Sequence, residues 1–211
     1  MPNWCSNIVT FGHAEPKQIA RLLKAAEEGE VLQEFVPCPA ELLDDELTTY
    51  FKDDAKQAEV DAKKTAVLAK HGYQSWYDWC TAYWGTKWDL SDITATQPAE
   101  DTVQLTFNTA WAPPIEAYAA MEEQGWHIYA MYYEPGMVFA GVYSDGSDDC
   151  YQNWGDSRDA RTTLPSELDE MFGISETQAE WERETEDEVT TWYKDGVDDT
   201  GLKPHNPPKE I

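Results

Sequence analysis

An α+β domain, with an antiparallel sheet and helices on one of its faces, is the fold class the sequence predicts. Three observations predict it. Short runs rich in β-branched and aromatic residues recur at 8–11, 90–96, 102–109, 126–133 and 137–143. Between them stand stretches with apolar residues at helical spacing, two of which open near proline and close at glycine. Beyond residue 144 the patterning changes and the chain turns strongly acidic.

The first strand, 8–11, is stopped by Gly12. Pro16 suits the first turn of a helix; Ile19, Leu22, Leu23 and Ala26 then recur at helical spacing until Gly29. Residues 31–36 form a second apolar run, which predicts a strand ended by Pro37-Cys38-Pro39. A helical insertion follows over about 40–83. Its first helix spans 54–70, with an alanine line at Ala58, Ala62, Ala66 and Ala69, and is capped by Gly72. Its second covers 74–83, where Trp76, Trp79, Cys80 and Tyr83 share a face. The runs 90–96 and 102–109 predict a hairpin with its turn at 97–101. A helix from Ile115 to a Gly125 cap comes next, then strands 126–133 and 137–143 around Glu134-Pro135-Gly136. This order predicts a ferredoxin-like sandwich over 1–144. Residues 145–211 form an acidic extension with short helices over 167–172 and 175–189 and a loose end over 201–211.

The net charge of −26 comes from 41 acidic and 15 basic residues. Nucleic acid is bound where Lys and Arg neutralise phosphates, so this balance argues against direct nucleic-acid binding and for basic protein partners. The extension is the more acidic part: residues 145–211 hold 19 Asp and Glu against 6 Lys and Arg. Cys5, Cys38, Cys80 and Cys150 form no CxxC pair, and His13, His71, His127 and His205 are not at metal-ligand spacing, so no metal or cofactor is expected. Sparse cysteines, no opening signal segment and no long apolar run predict a reduced, cytoplasmic protein outside the membrane. No GxGxxG, P-loop or GxSxG signature occurs, and no catalytic residue is assigned.

Two constellations are candidates for function. Trp84-Gly85-Thr86-Lys87-Trp88-Asp89 closes the densest aromatic run of the chain. Trp84 and Trp88 offer a shelf, and Lys87 a fixed positive charge, for an anion or a flat ring; Asp89 could meet a ligand or Lys87 itself. The alternative is that both tryptophans pack, Gly85 turns the chain and Lys87–Asp89 is a surface pair. The second constellation is acidic: Asp148 and Asp149, with Glu180, Glu182, Glu184, Glu186, Asp187 and Glu188. Carboxylates spaced like phosphates can occupy the nucleic-acid groove of a basic protein, and electrostatic steering would make that association fast and salt-sensitive. Its alternative is a solvated helical face that serves solubility.

Five pieces carry a resemblance: Met1-Pro2-Asn3-Trp4-Cys5-Ser6-Asn7; Phe35-Val36-Pro37-Cys38-Pro39 with Glu41-Leu42; Trp84 to Asp89 as above; Phe107-Asn108-Thr109-Ala110-Trp111-Ala112-Pro113-Pro114; and Tyr133-Glu134-Pro135-Gly136 with Phe139-Ala140-Gly141. In this order they resemble the phage and plasmid proteins with a YubB-type ferredoxin-like domain, over residues 1 to about 144. The resemblance implies the ferredoxin-like fold and a mobile-element origin, and brings no catalytic residues with it. The function expected is that of a phage or plasmid accessory protein. It would inhibit a basic host nucleic-acid-binding or defence complex by presenting the charge of nucleic acid, as an interaction protein rather than an enzyme. The competing expectation is a small-ligand or nucleic-acid-processing domain that uses the Trp84 to Asp89 region.

Overall fold

The computed structural model describes residues 3–195, with side chains through residue 186. The chain divides into two compact units after Gln152.

The first unit is built on β1 (Trp4–Gly12), in which Cys5, Asn7, Val9 and Phe11 are buried while Ser6, Ile8 and Thr10 on the other face are half-exposed. That alternation covers one face of the strand and leaves the other partly open. Helix α1 (Pro16–Glu28) buries Ile19, Leu22, Ala25 and Ala26 and ends at Gly29, where φ is 72°. Residues 31–36, expected as a strand, instead make the short helix α2 (Val31–Phe35). The physical reason lies 57 residues downstream: the Asp89 carboxylate accepts hydrogen bonds from the amides of Leu32 and Gln33 at 2.9 Å each. An apolar run this short has no periodicity to separate strand from helix, and a tertiary cap settles it.

Helix α3 (Asp54–His71) opens on the Asp53 side chain, which accepts from the Lys56 amide, and closes at Gly72. Its inner line is not the alanine line. Ala58, Ala62, Ala66 and Ala69 are exposed, and the fully buried residue is Val60, with Lys63, Lys64 and Val67 half-buried. Lys56 and Lys63 both reach Glu46 on the preceding 3-10 turn. Helix α4 (Trp76–Trp84) buries Trp79, Cys80 and Trp84. The expected face shifts by one position, since Trp84 goes inside and Tyr83 remains 45% exposed.

Strands β2 (Ser91–Ala99) and β3 (Thr102–Ala110) form the predicted hairpin, with a tighter turn than 97–101. Pro98 sits inside β2, which is tolerated because β2 is an edge strand with two register shifts. Helix α5 (Ile115–Glu122) leads into β4 (His127–Glu134), and β5 (Phe139–Ser144) returns beside it. The sheet does not end there. Asp145 and Gly146, at φ 50° and 75°, make a two-residue hairpin turn. It feeds a sixth strand, β6 (Ser147–Gln152). Asp148 and Asp149 are therefore strand residues of the first unit, not part of an acidic tail.

The six strands are antiparallel in the order β2-β3-β1-β4-β5-β6. The first four have the ferredoxin-like order, with α1 against β2 and β3 and α5 against β4 on one face. The core between them is aromatic: Phe11 and Phe35 meet the Trp126 ring edge-on at 6.1 and 5.3 Å, and Tyr118 meets Phe11 at 6.3 Å.

The second unit consists of α6 (Ser157–Thr163), α7 (Ser166–Phe172) and α8 (Ile174–Asp195), around Ala160, Leu164, Leu168 and Ile174. The expected loose end at 201–211 lies outside the described residues. Among the described residues, no helix is long and apolar enough to cross a membrane.

Candidate functional site

The Trp84 to Asp89 motif separates into a structural part and an exposed part. Trp84 is 4% exposed and donates its indole N–H to the Val36 carbonyl at 2.7 Å. Gly85 caps α4 with φ 80°. A Cβ there would stand 3.2 Å from the Ile115 nitrogen and the Pro113 oxygen, so the backbones of α4 and α5 approach at a point only glycine fits. Thr86 is buried and donates its hydroxyl to the Ala110 carbonyl at 2.9 Å. Asp89 caps α2 and also accepts from the Leu90 amide at 2.8 Å. Burial pushes its carboxyl above the usual range, opposed by the three backbone donors. Asp89 is thus committed to backbone, and it does not pair with Lys87.

Lys87 and Trp88 are the part left outside. The Lys87 ammonium stands 4.0 Å from the centre of the Trp88 ring and 5.8 Å from that of Tyr77. Among the described residues it has no ion pair. Trp88 in turn meets Trp4 of β1 at 6.4 Å. Two cavities share Trp76, Lys87 and Trp88. One, of about 500 Å3, also involves Leu47, Lys64, Ser75 and Tyr77; the other, of about 270 Å3, involves Leu43, Cys80, Trp84 and Asp89.

A third cleft, of about 340 Å3, lies between the start of α5 and the β5–β6 hairpin, lined among others by Glu116, Tyr132, Asp148 and Cys150. Asp148 accepts the Tyr132 hydroxyl at 2.8 Å. Burial raises both groups, so Asp148 titrates above an ordinary aspartate. Gly141 makes room for this contact: a Cβ there would fall 2.2 Å from the Tyr132 oxygen. Asp149 is exposed beside it.

The acidic helix divides in the same way. Glu182 accepts from the Ser157 amide and hydroxyl at 2.8 and 2.7 Å, tying α8 to the start of α6. Glu180, Glu184 and Glu186 are exposed. Among the described residues they make no ion pair. The side chains of Asp187 and Glu188 lie outside the described residues. Glu176, which the sequence reading left out, is exposed and extends the line as Glu176, Glu180 and Glu184 at i, i+4 and i+8. That four-residue spacing was the available signal. Asp148 and Asp149 belong to the first unit and the glutamates to the second.

No group of three or more His, Cys, Asp or Glu among the described residues is placed to hold a metal ion. Cys5, Cys38 and Cys80 are buried free thiols, all pushed up by burial and unsuited to act as thiolates.

No family model matches the chain, and no curated protein matches it. Among solved structures, the chain is similar to the crystal structure of a protein api92 from Yersinia pseudotuberculosis, with family model DUF1281. The identity is 10% and the TM-score 0.37, over 74% of this chain and 99% of that one.

Proposed function

We propose that this protein is a mobile-element accessory protein that binds a basic nucleic-acid-binding or defence complex of its host through acidic surface, in place of nucleic acid, and performs no chemistry of its own. The observation that carries the reading is the exposed line Glu176, Glu180 and Glu184 on α8. Successive members lie about 6 Å apart along the axis. Like charges at i, i+4 cost a helix a few tenths of a kcal/mol per pair, a cost the helix dipole offsets at Glu176 in the first turn but not at the Glu180–Glu184 pair. A net charge of −26 adds long-range attraction for a basic partner. The mobile-element setting rests on the resemblance of the five motifs in the first unit.

The test is capture of basic nucleic-acid-binding proteins on the immobilised full chain at low salt. A nucleic-acid-binding complex should be retained, then displaced by duplex DNA and by 0.5 M salt. It should be lost from the Glu176→Gln, Glu180→Gln, Glu184→Gln triple variant and kept by Lys87→Ala. A partner that duplex DNA does not displace, or that the triple variant still holds, sinks the reading.

A further inference from the structure

We propose that the larger cleft at the start of α4 is a binding site for a small phosphomonoester carried on a planar ring, of the nucleoside monophosphate kind. The inference is independent of the acidic-surface reading and uses none of its residues.

Four features of the cleft agree. The first is charge. In the first unit most basic side chains are spent: Lys17, Arg21, Lys24, Lys56, Lys63 and Lys70 all have carboxylate partners. Lys52, Lys64 and Lys87 have none among the described residues; Lys52 is exposed elsewhere, and Lys64 and Lys87 both line this one cleft. Asp78 is the single carboxylate on its wall among the described residues, so the local balance is positive in a chain of net charge −26. At physiological ionic strength the screening length is about 8 Å, so an anion inside the cleft feels these lysines more than carboxylates beyond that distance, with Asp45 and Asp89 on the adjoining cavity the nearer exceptions.

The second feature is Ser75. It is only 7% exposed, lines the cleft and precedes the first residue of α4, yet its side chain makes no capping hydrogen bond. Among the described residues its hydroxyl has no other partner either. A serine at this position ordinarily turns back onto the helix amides. Here both the hydroxyl and the amides of the first turn are left to a ligand. The third feature is those amides, from Trp76 to Asp78, on a helix of nine residues: they have no partner among the described residues, and such donors at the positive end of the helix dipole are a ready anion site. A buried hydroxyl, free amides and two lysines together suit a doubly charged phosphate better than a carboxylate.

The fourth feature is aromatic. Trp76, Tyr77 and Trp88 stand around the same opening, and Tyr77 and Trp88 are 46% and 39% exposed. Lys87 covers part of the Trp88 ring and stands more loosely over Tyr77, which leaves Trp76 and the outer part of Tyr77 as the faces on which a flat ring would lie. A volume of about 500 Å3 is in the range of small-molecule sites.

The experiment is a titration of the full chain followed through the indole N–H resonances in 1H–15N spectra, with AMP, adenosine and inorganic phosphate as separate probes. AMP is expected to give saturable shifts at Trp76 and Trp88, with an affinity at least tenfold higher than adenosine or phosphate alone. Lys64→Ala and Lys87→Ala should each weaken AMP at least tenfold, and Ser75→Ala severalfold. Among the described residues the two lysines make no ion pair, and Lys87 loses only its contacts with the Trp88 and Tyr77 rings, so the Lys64 variant is expected to keep the unfolding midpoint of the parent and the Lys87 variant to stay close to it. No saturation with AMP, equal affinity for AMP and phosphate or adenosine, or unchanged affinity in both lysine variants overturns the proposal.

Discussion

Gly85 sits at φ 80° with two backbone atoms of the α5 entrance 3.2 Å from where a side chain would begin. An alanine there meets the left-handed penalty of roughly 1–2 kcal/mol per residue as well as that contact. Gly85→Ala is therefore expected to lower stability by at least about 1–2 kcal/mol in denaturant unfolding, with no change at the charged residues of the cleft. Asp89 behaves differently. Its carboxyl is raised by burial, so the folded state binds its proton more tightly than the unfolded chain does. The corresponding stability is present below the ordinary aspartate range and is lost as pH rises through the folded value. Asp89→Asn keeps an acceptor for the amides and removes the titration. Its stability relative to the parent should improve as pH rises from below 4 towards neutrality, and a difference independent of pH would contradict the assignment. The sequence shows the type of both residues but not their partners. Asp89 finds Leu32 and Gln33, and Gly85 finds Pro113 and Ile115, only through the fold.

At the scale of the element, α3 is held by few groups. Val60 is its fully buried residue, and Lys56 and Lys63 anchor it to Glu46. Val60→Ala should cost about 2 kcal/mol by loss of buried methyls, whereas Ala62→Ser on the exposed line should stay within about 0.5 kcal/mol. Lysine hydrogen bonds hold Glu46 down to about 2, so its contribution is present above the ordinary glutamate value and is lost as pH falls through about 2. The unfolding midpoint of Glu46→Gln should converge on that of the parent as pH drops from 5 to 2, and a constant gap would refute the pairing. The alanine line was legible as a helix but said nothing of which face is buried, because small residues repeat at helical spacing whether they face inward or outward. The α2 segment was illegible for the opposite reason: five residues hold too little pattern, and a distant carboxylate decides. The β5–β6 turn was legible, since Asp145-Gly146 between extended runs is a strong hairpin signal, but the surrounding acidic residues hide it.

At the scale of the whole molecule, the ferredoxin-like order of the first four strands follows from patterning that the sequence carries openly: alternating burial in β1, and helices that open on proline and close on glycine. What the pattern does not carry is the length of the sheet. A chain ending at residue 152 retains β6 and the Tyr132–Asp148 hydrogen bond, and one ending at 144 does not. The longer form should unfold cooperatively and at a higher temperature than the shorter, read by thermal melts. Both outer strands of this open sheet also carry features that discourage another strand from joining. On one side β2 contains Pro98 and two register shifts. On the other, β6 carries the adjacent charges Asp148 and Asp149. Strand edges of this kind do not template growth by a second copy. A concentrated solution of the protein should accordingly resist fibril seeding, and the kinetic barrier against ordered self-assembly would rest on a handful of positions at the rims of the sheet.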